Sequence, residues 1–352
     1  MEFSEIVITA LAIIFIIFSA LPLIKTSFWW IRILDYPRIQ ILILGTATIV
    51  FYLIIVFPLG LVDYILLTFL GLAMIYQSVM VFPFTMISGI QSVKTKNPEE
   101  NQTFSLLIAN VRLKNRKFEK LIHLVKQFQP DIVLAVETDH GWMEKLNAIE
   151  KDYPFQIKYP LKNTYGMLFY SKLKLKNPRI NFYIKNDIPS IITEVYLHSD
   201  DTIKLYAIHP EPPKPLKDTD ERDAEILLAG KAIRENKEHA LIFGDLNDVG
   251  WSYTTKLFRK VSEMLDPRIG RGMYNTYNAN IPFFRWPLDH IFHTDHFKLV
   301  QLVRLSHIGS DHFPIYVKLE YTGHKNGQQA PKADHEELKE AEEKIENGKD
   351  SV

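Results

Sequence analysis

Long apolar runs fill the first part of the chain. They span residues 6–24, about 39–57 and about 61–84, and each is long enough to cross a bilayer core as a helix, which takes about 20 residues. Pro58, Gly60 and Asp63 supply a tight turn between the second run and the third. The N-terminal residues 1–5 lack the positive charge of a signal peptide. We therefore predict three transmembrane helices; a buried hairpin in a soluble protein is the alternative, and it fits the run lengths poorly.

Residues at the ends of the apolar runs indicate the position and orientation of the predicted helices in a membrane. Interfacial aromatics are expected there, and the candidates are Trp29, Trp30, Tyr36, Tyr64 and Tyr76. Basic residues follow the first run (Lys25, Arg32, Arg38) and the third (Lys94, Lys96). By the positive-inside rule both segments would lie in the cytoplasm and the N-terminus outside, although Glu99 and Glu100 make the charge difference small.

The composition changes after the third run. Residues 91–101 are polar, and we predict that they form a flexible linker. At roughly 5–6 Å × √n for a flexible chain, such a linker keeps the next domain within about 20 Å of the membrane surface.

From residue 102 to about 320, apolar strands alternate with amphipathic helices. Strands are predicted at 104–109, 132–136, 165–175, 191–197, 202–208, 241–244, 287–292 and 315–319. Helices are predicted at 118–128 and 220–235, and a basic segment, 172–185, separates two of the strands. Residues 321–352 are rich in Glu and Lys and predict a charged tail, either a solvated helix or disordered chain.

Composition narrows the class of protein. With 352 residues and 47% hydrophobic content, the chain can bury a full-sized core and hold more than one domain. Its formal net charge is zero, which argues against a dedicated binder of duplex nucleic acid. The absence of cysteine excludes disulfides and thiolate metal sites.

Polar side chains stand where the predicted strands end or begin. They are Asn110, Glu137, His209, Asp245, Asn247, Asp289, Asp311 and His312. In a two-layer sandwich these positions would converge on one edge. Each has a simpler interpretation alone: Asn110 could cap a turn, and Asp289 could pair with Arg285. The combination of residue types favours a common site. Gly244, just before Asp245, would let another group approach the backbone closely.

This set of side chains fits metal-assisted phosphoester chemistry. Glu137 would supply a carboxylate to a hard cation such as Mg²⁺, with Asn110 and Asp311 nearby. His312 is the candidate general base, and Asp289 would orient its imidazole.

The remaining candidates would act on the phosphoryl group. Asp245 and Asn247 would hold the attacking water and the phosphoryl group, and His209 would donate a hydrogen bond to the oxyanion.

The ordered motifs resemble those of the endonuclease/exonuclease/phosphatase superfamily over roughly residues 102–320. They are Asn110, Gln129-Pro130-Asp131-Ile132-Val133 leading to Glu137, His209, Gly244-Asp245-Leu246-Asn247, Leu288-Asp289-His290-Ile291 and Ser310-Asp311-His312-Phe313-Pro314. The resemblance implies a four-layer α/β/β/α sandwich (DNase I-like), here preceded by three transmembrane helices, and hydrolysis dependent on Mg²⁺ or Mn²⁺. Val136 stands before Glu137 where many members have Gln, which leaves the carboxylate in place.

The N-terminal part is similar to a membrane-anchored bacterial branch of that family. The similarity lies in Trp29-Trp30-x-Arg32 and Asp35-Tyr36-Pro37-Arg38. This branch includes vancomycin-resistance-type enzymes thought to act on undecaprenyl pyrophosphate. It implies a multi-pass protein of the bacterial cytoplasmic membrane with its catalytic domain outside the cytoplasm. We favour that orientation over the one from the charge count, because the charge difference is slight.

A zinc site at His290, His293 and His296 is the main competing metal site. Every third residue shares a face only in a 3₁₀ helix, whereas this segment is predicted to begin as a strand. Zinc needs three or four convergent ligands, so we do not expect it here.

Three functions are compatible with the sequence. A phosphatase acting on a lipid-linked phosphate or pyrophosphate explains the membrane tether, with the bilayer and its lipid as partners. A tethered nuclease would need a basic groove for nucleic acid, for which the candidates are Lys158, Lys162, Lys172, Lys174, Lys176, Arg179 and Lys185. An inactive scaffold of the same fold is the third.

Overall fold

The computed structural model describes residues 2–351, and its N-terminal part is a bundle of three long helices. These are α1 (Phe3–Ala20), α3 (Arg38–Ile55) and α4 (Leu61–Val81), with the short α2 (Trp29–Arg32) between the first two. Including their 3₁₀ extensions, the three long segments have the length and hydropathy of membrane spans, as predicted. They pack through a small core and turn most of their apolar surface outwards, as helices in lipid do.

The connection between α1 and α3 is held by a buried ion-pair group. Asp35 accepts from Arg32 at 3.2 Å and from Arg38 at 2.5 Å. Arg38 also donates to Gln77 of α4, whose amide nitrogen donates to Ser19 of α1. Two of the basic residues counted for orientation, Arg32 and Arg38, are therefore buried and share one carboxylate, and they are not free surface charges.

The rest of the chain contains two mixed β-sheets. The first has six strands in the order β10-β11-β1-β2-β4-β3, and the second has five in the order β5-β6-β7-β8-β9. The strands are β1 (Thr103–Asn110), β2 (Ile132–Val136), β3 (Phe155–Tyr159), β4 (Met167–Ser171), β5 (Leu175–Asn181), β6 (Ser190–Tyr196), β7 (Thr202–Ala207), β8 (Ala240–Asp245), β9 (Asp289–His293), β10 (Phe297–Arg304) and β11 (Ile315–Tyr321).

Helices cover the outer faces of both sheets. The inner faces meet in one apolar core. Against the first sheet pack α5 (Phe118–Phe128) and α6 (His140–Leu146). Against the second pack α7 (Asp220–Glu235), α8 (Tyr253–Ser262) and α9 (His335–Asp350). The predicted four-layer α/β/β/α sandwich is confirmed.

The sheet topology brings the predicted strand ends to one edge. Strands β1 and β2 run parallel, as do β7 and β8. The Asn110 side chain at the end of β1 donates to Asp245 at the end of β8, so all four C-terminal ends lie on the same side. Strands β9 and β11 run antiparallel to β8 and β1, so their N-terminal ends reach that side too.

Residues 91–101 are docked against the sandwich, which corrects the prediction of a flexible linker. Val93 and Thr95 exchange backbone hydrogen bonds with Leu299 of β10, at 2.8 and 2.9 Å. Ser92 bonds to the His293 ring at 2.7 Å, and the Glu99 backbone donates to Glu320. The unpaired backbone of β10 is an edge that a polar extended segment can pair with, and this partner lies far away in sequence.

The charged tail also differs from the prediction. Residues 335–350 form α9, which begins with Asp334 as N-cap and buries Ala341, Ile345 and Gly348. A Cβ on Gly348 would lie 2.3 Å from the Cβ of Ala224, so the glycine permits close approach to α7. The tail forms the helix of the first predicted alternative and has an exposed charged face, but it differs from a fully solvated helix because a few small and apolar residues pack against α7 and α8.

The three-helix bundle contacts the sandwich directly. The Trp251 indole donates to the carbonyl of Asp35 at 2.7 Å, and Phe84 packs edge-on against Trp251. Tyr36 donates its hydroxyl to the carbonyl of Asn247 at 2.7 Å. The helix ends that carry residues 24–37 and 82–84 therefore meet the same edge of the sandwich as the strand ends.

Candidate active site

Glu137 and Asn110 are joined at the ends of β2 and β1. The Asn110 amide nitrogen donates to Glu137 and to Asp245, at 2.9 Å each. Glu137 also accepts from the backbone of Leu113 at 3.1 Å and adopts a positive φ of 60°. The Asn110 oxygen accepts from the backbone of Arg112. Because its nitrogen faces Glu137, these contacts favour Asn110 as the group that positions the carboxylate; its role as a metal ligand stays a prediction.

Asp245 is the last residue of β8 and lies at the centre of the site. One carboxylate oxygen accepts from the Asn247 backbone at 3.1 Å, and the other faces Asn110 and the His312 ring. Gly244 before it has φ 140°, and a Cβ there would lie 2.0 Å from the carbonyl oxygen of Ile208. The close approach predicted at Gly244 is therefore made by the neighbouring strand's backbone.

His312 lies between two carboxylates. Its Nδ1 donates to Asp289 at 2.8 Å, and its Nε2 is 3.5 Å from Asp245. Burial alone would lower the pKa of His312, but Asp245 and Asp289 outweigh it and raise that pKa to about 10. Asp289 therefore fixes the tautomer and, with Asp245, stabilises the imidazolium. Arg285 instead donates to the carbonyls of Asn278 and Ala279.

His209 and Asp311 complete the set from opposite sides. His209 Nε2 is 3.9 Å from Asp245, and burial lowers the pKa of His209, which favours the neutral ring. Within the described chain, His209 Nδ1 is buried without a hydrogen-bond partner. Asp311 is partly exposed and faces the Arg112 guanidinium at 3.5 Å.

A cavity of about 610 Å³ opens over these side chains. Its polar lining includes Glu137, Asn247, Asp311 and His312. Its apolar lining comes from the connection between α1 and α3 and from two loops of the sandwich: Ile33, Leu34, Tyr36, Pro37, Pro212, Pro213, Tyr277, Phe284, Trp286 and Leu288. One wall of the cavity therefore belongs to the helical bundle.

All eight predicted site residues meet at this edge, but the sequence did not reveal their supports. Tyr36 and Arg222 both donate to the Asn247 carbonyl, and the Tyr277 ring packs 4.9 Å from that of His312. In the sequence, Asp35-Tyr36-Pro37-Arg38 was identified only by its similarity to a membrane-anchored branch of a known family, and not as part of the site. Its contact with a residue 211 positions away has no local signal.

The three histidines of the zinc alternative have separate partners. His290 donates from Nε2 to the carbonyl of Asp248 and accepts at Nδ1 from Arg268. His293 contacts Ser92, and His296 stacks on His239 at 3.6 Å. Each imidazole serves local packing.

A hard divalent cation fits the donor set. Carboxylate oxygens are its preferred ligands, and Glu137 and Asp311 line the cavity. Without a cation, the carboxylates of Glu137, Asp245, Asp289 and Asp311 would repel a phosphate anion. Among the described residues, the carboxylate and imidazole group compact enough to hold a metal is Asp245, Asp289 and His312, within 4.8 Å of one another. In that group His312 is already bonded to Asp289, so we retain Glu137 as the predicted ligand.

Solved structures of other proteins share this fold. The computed structure resembles D. rerio TDP2 crystallised with a single-strand DNA product, with a TM-score of 0.52 and 17% identity over 62% of this chain and 99% of that one. It resembles a Bacteroides thetaiotaomicron endonuclease/exonuclease/phosphatase family protein with a TM-score of 0.52 and 15% identity, over 64% and 99%. The human Nocturnin catalytic domain, with bound sulfate, gives 0.51 and 15%, over 65% and 100%.

At these identities the solved structures show the shared fold. No curated protein matches the sequence significantly. The family model described as Endonuclease/Exonuclease/phosphatase matches residues 107–312, which is more than half of the chain and includes all eight site residues. The chain therefore belongs to the endonuclease/exonuclease/phosphatase family.

Proposed function

We propose that this protein is a membrane-anchored, divalent-metal-dependent phosphoesterase that acts on a lipid-linked phosphate or pyrophosphate. One observation carries the proposal: the segment between the first two membrane-length helices forms a wall of the active-site cavity. Residues 33–37, at the ends of helices suited to lipid, therefore line the same cavity as Glu137 and His312.

His312 and Asp289 form the acid–base pair of the proposed reaction. In its neutral form, His312 takes a proton from the attacking water at Nε2, while Asp289 holds Nδ1. Because the pKa of His312 is raised to about 10, this form is the minor one at neutral pH, and the rate should increase as the pH rises towards that value. The carboxylates on either side stabilise the imidazolium that this transfer produces. Asp245 and Asn247 position the water and the phosphoryl group, and neutral His209 donates a hydrogen bond to the phosphoryl oxygen. When bound by Glu137 with Asp311 nearby, Mg²⁺ or Mn²⁺ offsets the negative charge on the phosphoryl group.

The lining of the cavity matches an amphipathic substrate. Its floor is polar and anionic, and its upper walls are apolar. A lipid phosphate has this same division between a charged head and a hydrocarbon chain. A tether raises the effective concentration of enzyme and substrate only if both lie in the same membrane.

A nucleic-acid substrate is the second candidate, since one protein of similar fold was crystallised with a single-strand DNA product. The basic residues considered for a groove argue against it. Lys158, Lys176 and Lys185 pair with glutamates, and no residue of the basic set is among the described residues that line the cavity. An inactive scaffold is disfavoured because the eight side chains are present and converge.

We further propose that the protein lies in the bacterial cytoplasmic membrane with its catalytic domain outside. Asp35 pairs with both Arg32 and Arg38 and offsets one of their two positive charges, so the excess of basic residues that favoured the opposite orientation is smaller. Protease accessibility of the sandwich in intact spheroplasts tests this orientation, and protection of the sandwich from the protease contradicts it.

The test of function uses the full chain reconstituted in liposomes that contain a polyprenyl pyrophosphate. We expect phosphate release that EDTA abolishes and Mg²⁺ or Mn²⁺ restores, with kcat/KM higher than on single- or double-stranded DNA. Glu137→Gln should lower metal affinity and rate together. Efficient DNA cleavage at physiological salt with the lipid untouched would establish the nuclease alternative, and full activity in EDTA would exclude the metal.

A further inference from the structure

Two loops of the sandwich carry exposed apolar side chains beside the cavity. In loop 211–217, Leu216 is 93% exposed. In loop 278–286, Ile281 is 47% exposed and Phe283 56%. Single exposed hydrophobic residues are common, but these lie on two loops that border one cavity.

Both loops are fastened to the ends of the membrane-length helices. The Gln40 amide of α3 donates to the carbonyl of Phe283 at 2.7 Å. After the first loop, Asp218 accepts from the Trp29 backbone at 3.0 Å, and Thr219 donates to the carbonyl of Ser27 at 2.9 Å. The loops therefore stand where helices of this length would leave the hydrocarbon core.

The surface between the loops continues this apolar character. Phe28 and Trp30, stacked at 6.4 Å, are both about half exposed, and Ile33 is similarly exposed. Aromatic side chains favour the boundary between hydrocarbon and headgroups.

The bases of the same loops line the cavity. Pro212 and Pro213 come from the first loop, and Phe284 and Trp286 from the second. The helix-side wall between them includes Ile33 and Leu34. The residues that line these walls are uncharged, and the charged residues of the first loop, Glu211, Lys214 and Lys217, are joined in ion pairs.

We propose that loops 211–217 and 278–286 seat in the interfacial layer of the bilayer and that the cavity opens sideways between them. The hydrocarbon chain of the substrate then stays in the membrane while its phosphate reaches the site. This inference rests on the proposed function for its substrate, but the seating of the loops is a separate physical claim. The occupant is the lipid bilayer, because the surface is continuous with the membrane helices.

The seating is tested with single-cysteine labels, since the natural chain contains no cysteine. Leu216→Cys and Phe283→Cys, labelled with bimane in full-length protein in liposomes, should be quenched strongly by lipids bearing a quencher near the headgroup. His198→Cys is the control, because His198 is exposed in the turn between β6 and β7, at the opposite edge of the sandwich. If the labels at 216 and 283 are quenched no more than the label at 198, the proposal is wrong.

The sideways opening is tested by kinetics. Ile281→Ser combined with Phe283→Ser should lower kcat/KM for the polyprenyl pyrophosphate about tenfold or more, since two apolar side chains lose their contact with lipid. Hydrolysis of a water-soluble aryl phosphoester should stay within about twofold, because neither side chain lines the cavity. Equal loss on both substrates, or loss on neither, overturns the sideways opening. If the wild type does not hydrolyse the polyprenyl pyrophosphate but the labels are quenched, the proposed substrate is wrong and the position of the loops in the bilayer is supported.

Discussion

The imidazole of His312 sits between Asp289 and Asp245, and this arrangement sets the first prediction. His312→Ala should lower kcat about 10²–10⁴-fold, because the proton acceptor is lost. Asp289→Asn should lower kcat less, since it disturbs only the tautomer and the stability of the imidazolium. His198→Ala is the control and should be neutral. The measurement is kcat on a soluble phosphoester at pH 6–9, with thermal unfolding to check folding; an unchanged rate for His312→Ala would rule out its assignment.

The Tyr36 hydroxyl links the helical bundle to the Asn247 backbone, where φ is 50°. Tyr36→Phe should lower kcat on a soluble phosphoester about tenfold, because Asn247 is less firmly held. It should also lower the free energy of unfolding by about 0.5–1.5 kcal/mol, as expected for one lost hydrogen bond.

The matched control is Tyr52→Phe. It removes a hydroxyl bond to Asp63 at the opposite end of the bundle. The control should show a stability loss of similar size and an unchanged kcat. The same kcat for both variants would mean that Tyr36 has no positioning role.

A buried carboxyl group gives a pH-dependent prediction. Burial raises the pKa of Glu225 to about 8, although a hydrogen bond from Ser190 at 2.9 Å acts in the opposite direction. Between its ordinary pKa of about 4.5 and this value, the folded state binds more protons than the unfolded state, so stability falls as pH rises through this window.

Glu225→Gln keeps a neutral side chain of the same shape and removes this pH dependence. The Tm of the variant minus the Tm of the wild type should therefore increase from pH 5 to pH 9. Tryptophan fluorescence of the protein in detergent measures both values. Glu235→Gln is the control, an exposed substitution on the same helix. The difference between its Tm and that of the wild type should not change with pH. The prediction is wrong if raising the pH from 5 to 9 lowers the Tm of the wild type by no more than it lowers the Tm of Glu225→Gln.

At the scale of elements, helix α9 shows how a charged segment can still be structural. Its outer face carries most of the charge, while Lys344 reaches the buried Asp223 at 3.3 Å and Ile345 packs under α7. We expect Ile345→Ala to lower the free energy of unfolding by about 2–4 kcal/mol through a cavity left at this contact.

Glu343→Ala is the matched surface change on α9, and its effect should stay within about 0.5 kcal/mol. Chemical denaturation of the full chain in detergent measures both. If the two variants unfold alike, the segment is a solvated tail as the sequence suggested.

Elements with strong periodicity were predicted well, and the others were not. The helix over 118–128 and the strand over 132–136 match the structure residue for residue, because the apolar spacing of the first and the continuous burial of the second are distinctive. Strand β5 was missed, since its sequence Leu-Lys-Asn-Pro-Arg-Ile-Asn is basic and contains proline. It is an edge strand with an exposed face, where hydrophobic alternation is not required.

At the scale of the whole molecule, the bundle and the sandwich share the site. The bundle closes one wall of the cavity, holds the Asn247 backbone and fastens both exposed loops. The docked segment 91–101 and the Lys25–Glu340 pair at 2.9 Å further tie the two parts together. The helical bundle therefore forms part of the candidate active site, and a flexible tether would give no such contacts.

The sequence alone determined three apolar helices, an α/β sandwich and eight polar residues at strand ends. The helices and the polar residues follow from local patterns: run length, periodicity and the point where apolar strands give way to polar residues. The sandwich was implied by the resemblance of the ordered motifs to a known family. The tertiary structure alone decided that Tyr36 supports Asn247, that the linker pairs with β10, and that α9 packs on α7. Each of these contacts joins segments far apart in the chain, and its free energy depends on packing between surfaces that no local window of sequence contains.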